Sequence, residues 1–208
     1  ANYKIKCLDP NLLIDTILPP DNIVGSVVYP ACEIVKPGTI RHIAGNRFSL
    51  GEPEGSESDR LKFISDILKK AGFRAPIQKN IRDEIWLKLI GNLSFNPISA
   101  LTGATLEQIC NDQGTEAIVR AMMTEAKIIA EELGAKINMS IEKRIDGARK
   151  VGAHKTSMLQ DIEAGKPIEI DSIIIAVKEL GELTCSPTPY IDTILNLTLQ
   201  KAKLIGCL

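Results

Sequence analysis

The hydrophobic period of this chain changes once, and that change sets what it can fold into. From Ile81 onward apolar residues recur at three-to-four spacing almost without a break, which predicts helices over 81–100, 117–133, 140–150, 157–164, 170–183 and 190–204. Gly134, Gly165 and Gly181 stand at or near the predicted ends, and Pro187 and Pro189 separate the last two helices. The stretch before Ile81 reads differently. The runs 23–29, 32–35, 39–43 and 47–50 are rich in β-branched and aromatic residues, with Pro37-Gly38 and Gly45-Asn46 between them as turn signals. They predict strands joined by hairpins, then a helix over 60–71 ended by Gly72 and a short strand over 73–77. The expected architecture is α+β: a strand-rich part over 1–78 and a larger all-helical domain over 79–208.

Composition narrows the function. With 44% hydrophobic and 25% charged residues, the 208-residue chain can bury a real core. A net charge of −1 supplies no field for nucleic acid, and no apolar run reaches the roughly 20 residues of a membrane helix. Neither partner is expected. Five cysteines (Cys7, Cys32, Cys110, Cys185, Cys207) lie scattered without CxxC or His-rich spacing, which points to reduced thiols in a cytoplasmic protein and to no metal site. The chain opens at Ala1 with neither methionine nor signal-peptide pattern, and reads as cut.

Two segments carry candidate chemistry. In the 81–100 helix, Lys88, Asn92 and Asn96 recur every four residues, so each lies about 40° around from the last in one polar stripe among apolar neighbours. Either Lys88 snorkels while backbone satisfies the asparagines, or the stripe faces a substrate. Pro97 removes an amide donor and predicts a kink or an end beside Asn96. In the second segment, Ser157 has capping-box spacing to Gln160, and Thr156 offers the same service; a hydroxyl there also suits an anionic ligand. Glu169 is either a first-turn dipole partner or a carboxylate facing a cleft, and Asp171 serves equally well as the cap. His154 and His42 lack ligand spacing and are not assigned catalysis. No GxSxG, HExxH, Walker or EF-hand pattern occurs.

Together, Ile81-Arg82-Asp83-Glu84-Ile85-Trp86-Leu87-Lys88-Leu89-Ile90-Gly91-Asn92, Asn96-Pro97, Ser157-Met158-Leu159-Gln160-Asp161 and Glu169-Ile170-Asp171 resemble the C-terminal half of ketopantoate reductases (2-dehydropantoate 2-reductases). Upstream, Gly25-Ser26-Val27-Val28-Tyr29, Pro37-Gly38 with His42, and Leu50-Gly51-Glu52 are similar to the last strands of that family's nucleotide-binding domain. The resemblance implies the remnant of a Rossmann-type domain followed by an all-helical domain like the C-terminal domain of 6-phosphogluconate dehydrogenase. It implies an oxidoreductase that uses NADPH to convert ketopantoate to pantoate, on the route to pantothenate and coenzyme A. On that resemblance Lys88 is the catalytic proton donor, Asn92, Asn96 and Ser157 bind substrate, and Glu169 lies where cofactor and substrate meet and helps keep Lys88 charged.

The chain departs from the family pattern in two respects. The GxGxxG fingerprint is absent, so the chain is expected to be a fragment that does not bind NADPH without an N-terminal region. His154 stands where some members carry a substrate-contacting asparagine. Two alternatives stay open: a reductase of another 2-keto acid with the same helical domain, and a non-catalytic helical module whose long helices supply a homodimer interface.

Overall fold

The computed structural model describes residues 4–208, apart from the side chain of Asp15. The described residues form two compact units, Leu13–Ile85 and Trp86–Leu208, the latter joined by residues 4–12.

The first unit begins with a helical turn, α1 (Ile14–Ile17), and a 3₁₀ turn at Pro20–Asn22. Four strands follow: β1 (Gly25–Val28), β2 (Ala31–Lys36), β3 (Thr39–Ala44) and β4 (Phe48–Gly51). β2 and β3 form the expected hairpin across Pro37-Gly38, where Gly38 takes φ +77°. Gly45-Asn46 is not a hairpin turn. β4 passes over β3 and pairs antiparallel with β1, in the register Gly25↔Gly51 to Val28↔Phe48. The 73–77 stretch runs parallel to β4 as isolated bridges, with the Phe48 amide donating to the Arg74 carbonyl (2.8 Å) and the Leu50 amide to that of Pro76 (2.9 Å). Helix α2 (Asp59–Lys70) is capped by Ser58, whose hydroxyl accepts the Leu61 amide. It buries Leu61 against Leu50 and Ala75.

A buried ion pair staples this unit. Glu52, whose side chain is fully buried, accepts Arg60 Nε (2.8 Å) and Nη2 (2.6 Å) and the Ser58 hydroxyl, while Arg60 also donates to the Asp21 and Ile23 carbonyls. Arg60 first, and Ser58 after it, hold the Glu52 carboxyl down at about 2 from an ordinary 4.5. A carboxylate depressed in the folded state contributes stability above its unfolded value and loses it as pH falls between the two, here from about 4.5 toward 2. Glu52→Gln should therefore lower the urea midpoint at pH 7 and flatten its acid limb. Identical midpoints for both proteins at pH 7 and pH 3 would show that the pair is inert.

The second unit is built around α3 (Ile81–Thr102), which starts in the first unit and is apolar on most sides, as a central helix must be. Pro97 neither ends nor interrupts the assigned helix, which runs five residues further; the proline removes the amide that the Leu93 carbonyl would accept. Around α3 pack α4 (Leu106–Asn111), α5 (Gln113–Glu132), α6 (Ile141–Val151), α7 (Ser157–Glu163), a π-helical turn (Asp171–Ile175), α8 (Ala176–Leu183) and α9 (Pro189–Ile205). Leu93, Met122, Met123, Ile129, Ile174 and Ile191 are the fully buried centre of one core. Helix α4 and the first turn of α5 were not expected. They hold because Thr105 and Gln108 form a reciprocal capping box and Asp112 accepts the Thr115 amide.

Two long-range caps fix the helix ends. Glu125 of α5, itself buried, accepts the amides of Tyr190 and Ile191 at 2.9 Å each and so caps α9, whose own Thr188 makes no side-chain cap. Lys201 of α9 donates to the carbonyls of Ala100 (2.6 Å) and Leu101 (3.1 Å), closing the C-terminal end of α3.

Candidate active site

Lys88 stands on α3 two turns from the helix start, half-buried, with Asn92 one turn on and Asn96 a turn beyond. Asn96 is 5% exposed, and its Nδ2 has no hydrogen-bond partner among the described residues. A buried amide donor without an acceptor is rare and costs free energy, so the site has reason to receive an oxygen there.

Glu169 acts electrostatically on the same ammonium from elsewhere in the chain. Ile168 and Ile170 on either side are buried while Glu169 is exposed, so the core fixes its direction outward. Its carbonyl accepts the Ile173 amide as the π-helical turn begins. Such widened turns recur at functional sites because they re-aim a side chain without ending the helix. Burial pulls the Lys88 pKa below its ordinary value, and the Glu169 carboxylate pushes it back without cancelling the burial. Desolvation is thus the larger of the two effects on Lys88, and Glu169 opposes it.

Ser157 is the first residue of α7, and its side chain is exposed. The capping role belongs to Thr156, whose hydroxyl accepts the Leu159 amide, so Ser157 is released from that duty. Asp171 is not a cap either: it opens the π-helical turn, whose N-cap position is Ile170 and lacks a side-chain hydrogen bond. The Glu169 carboxylate acts on Lys88 through space, Asn92 and Asn96 follow Lys88 along the same helix, and Ser157 is a separate exposed hydroxyl. His154 is exposed, and its backbone carbonyl accepts the Leu106 amide at the start of α4.

Reading the sequence alone missed two features of α3. Arg144 of α6 lays its guanidinium on Gly91, so closely that a Cβ there would fall 2.1 Å from Nη2. Within the first unit, the first turn of α3 is held by Glu84, 8% exposed, which accepts the Tyr29 hydroxyl at 2.8 Å and pairs with Arg47. Arg47 also lies over the Tyr29 ring, 4.5 Å from its centroid, and donates to the Ser49 hydroxyl. Glu84 lies four residues before Lys88, and that spacing was the available signal.

Residues 80–202, more than half of the chain, match the family model described as ketopantoate reductase PanE/ApbA C terminal. The chain belongs to the ketopantoate reductase family. A 2-dehydropantoate 2-reductase of Mesorhizobium japonicum is 52% identical over 98% of this chain, which spans 63% of that relative's length. Among solved structures, a candidate ketopantoate reductase from Ralstonia solanacearum MolK2 superposes with a TM-score of 0.94 at 40% identity, over 100% of this chain and 63% of its own. D-mandelate dehydrogenase in complex with NADH shares the fold, with a TM-score of 0.84 at 20% identity, over 93% of this chain and 66% of its own. The α+β class, with few strands followed by helices, is that of these ketopantoate reductases. Among the described residues no helix is long and apolar enough to cross a membrane, no group of side chains could hold a metal ion, and the five cysteines form no disulfide.

Proposed function

We propose that this chain carries the substrate-binding and proton-donating part of an NADPH-dependent 2-dehydropantoate 2-reductase, which makes pantoate for pantothenate and coenzyme A. The observation that carries the proposal is the half-buried Lys88 ammonium beside Glu169, on a helix that also holds an unsatisfied buried amide at Asn96. Membership of the family supports the reaction class.

In this reading Lys88 Nζ sits at the oxygen of the 2-keto group. Its charge stabilises the alkoxide that develops there, and it then gives up a proton to complete the alcohol. Burial favours that transfer by making the ammonium a stronger acid. Asn92 and Asn96 orient the substrate, the Asn96 Nδ2 gaining the acceptor it lacks, and the exposed Ser157 hydroxyl binds a substrate oxygen. Glu169 orients the ammonium and offers a carboxylate to a hydroxyl of substrate or cofactor.

In this reading Glu169, an exposed carboxylate that acts on Lys88, would meet the reacting end of a nicotinamide cofactor, whereas no GxGxxG in this sequence makes the pyrophosphate cradle. NADPH, when bound, supplies the hydride to the carbonyl carbon. The reading includes a cytoplasmic protein with domains over 1–78 and 79–208. It also includes a homodimer through the helical part, supported by Leu197, Leu204 and Ile205, which stand exposed on α9.

Because one fold serves D-mandelate dehydrogenase as well, the substrate needs its own test. NADPH oxidation by the chain joined to a nucleotide-binding region should give a higher kcat/KM with 2-dehydropantoate than with aromatic 2-keto acids. Binding of NADPH without turnover of 2-dehydropantoate would sink this assignment and favour another 2-keto acid.

A further inference from the structure

We infer that Glu179 is a positioning residue for Glu169: with the segment at Lys6 and Cys7 it clamps the π-helical turn whose geometry aims that carboxylate. The inference rests on reading Glu169 as the carboxylate that serves Lys88. All of these residues belong to one compact unit.

A π-helical turn is rare, and it persists where its surroundings favour it over the ordinary α-helical turn. Here the Ala176 amide closes the wide turn on the Asp171 carbonyl, while the turn's own N-cap position, Ile170, makes no side-chain hydrogen bond. The N-terminal segment supplies the support. Glu179 of α8 accepts the backbone amides of Lys6 and Cys7, the latter at 3.1 Å. The Cys7 Sγ lies 3.8 Å from the Asp171 carbonyl oxygen, within donating distance for a thiol. Residues 6 and 7 therefore bridge Asp171 at the start of the turn to Glu179 beyond its end, although Cys7 and Glu179 stand 172 positions apart in sequence.

Each group is in the protonation state that the clamp needs. Burial first, and Glu179 after it, push the Cys7 thiol up to about 11 from 9.0, so it keeps its proton and can donate. Burial works against the Glu179 carboxylate, but the amides of Lys6 and Cys7 and the Cys7 thiol hold it below its ordinary value, so it stays an acceptor. The segment is also turned to suit, because the amides of Leu8 (3.2 Å) and Asp9 (3.1 Å) both donate to the Ile5 carbonyl and leave those of Lys6 and Cys7 to Glu179. Glu169 lies two residues before Asp171, and its carbonyl accepts the Ile173 amide inside the turn at 3.3 Å. With Ile168 and Ile170 buried on either side, a change in the turn is what would re-aim it.

The test pairs two measurements on the 208-residue chain and its Glu179→Gln variant. One is amide hydrogen exchange at Ile173 and Ala176; the other is titration of Lys88 by ¹³C NMR after ¹³C-lysine labelling, its resonance assigned by its absence from Lys88→Arg. Glutamine keeps the size of the side chain but loses the charge that makes it a strong acceptor for two amides, so Ile173 and Ala176 should exchange about 10-fold faster. Lys88 should titrate lower than in wild type, as it should in Glu169→Gln, because a misdirected Glu169 no longer opposes burial. Glu179→Gln/Glu169→Gln should match Glu169→Gln alone, since a residue that acts through Glu169 adds nothing once that carboxylate is gone. Cys7→Ala should reproduce both effects more weakly, and carries the test if Glu179→Gln does not fold. Unchanged exchange at Ala176, a Lys88 that shifts in Glu169→Gln but not in Glu179→Gln, or shifts that add in the double variant would overturn the inference. If Glu169→Gln itself leaves Lys88 unmoved, the reading of Glu169 as its partner fails and takes the positioning role with it, whereas exchange at Ala176 reports the clamp separately.

Discussion

On the proposed reading, Lys88→Ala, in the chain joined to a nucleotide-binding region, is expected to lower kcat by about 10²- to 10⁴-fold, the range for losing a positioned general acid. If Lys88 is the proton donor, the loss should fall on kcat and kcat/KM together, because the ammonium would then meet charge on the carbonyl oxygen only as hydride arrives. Lys88→Arg should recover little. Guanidinium keeps the charge but does not release a proton in the accessible range, so it stabilises an alkoxide without completing the alcohol. The pH dependence has a definite sign. A proton donor works below its pKa, so the wild-type rate should fall on the alkaline side as pH rises through the lowered Lys88 value, and Lys88→Ala should lack that limb. Folding carries the opposite signature. Since burial depresses the native pKa, the unfolded chain holds the extra proton between the two values, and this group's contribution to stability rises with pH across that alkaline window. The alanine variant should be no less stable than wild type by denaturant midpoint. A variant that loses stability or assembly while keeping its turnover would instead favour the helical interaction module.

How much of this was legible beforehand follows from which contacts are local. The stripe of Lys88, Asn92 and Asn96 could be read because helical spacing alone puts them on one side of α3, and Gly72 and Pro189 mark helix boundaries through backbone chemistry that needs no partner. Helix α4 was not legible: Leu106–Asn111 is six residues long, too short for a period to declare itself, and its capping box shows only once the helix is known. Strand pairing failed where it is non-local. β3 and β4 are consecutive and separated by a turn signal, yet β4 closes on β1, and nothing within either strand encodes that choice. The Glu125 cap on α9 joins residues 65 apart in sequence, and the Arg47–Glu84 pair joins residues 37 apart. Lys88 and Glu169 could be linked in advance only through resemblance to a family, and the dominance of burial over that pair was invisible without the packing around Lys88.

Asn96→Leu should separate stability from function more cleanly than any other change in the stripe. The wild-type side chain buries an amide donor that nothing in the described residues satisfies, a defect worth about 1–3 kcal/mol when it stands alone. Leucine removes the polar group and occupies similar space in an apolar setting, so the urea midpoint should rise by an amount equivalent to roughly 1 kcal/mol, less any strain from the changed shape. Substrate binding should move the other way. If Nδ2 donates to an oxygen of the bound keto acid, its removal forfeits a hydrogen bond to a charged or strongly polar group, worth roughly 1.5–3 kcal/mol, and KM should rise by about 10- to 100-fold. The effect on kcat should be smaller than that of Lys88→Ala, because an orienting amide contacts the substrate before and during the reaction. A purely structural asparagine predicts lost stability and unchanged kinetics, so calorimetry and steady-state rates on the same preparation decide between the two. Gained stability together with lost affinity would mean that α3 carries an unsatisfied donor at a cost to the fold, which is what a helix that serves a ligand must do.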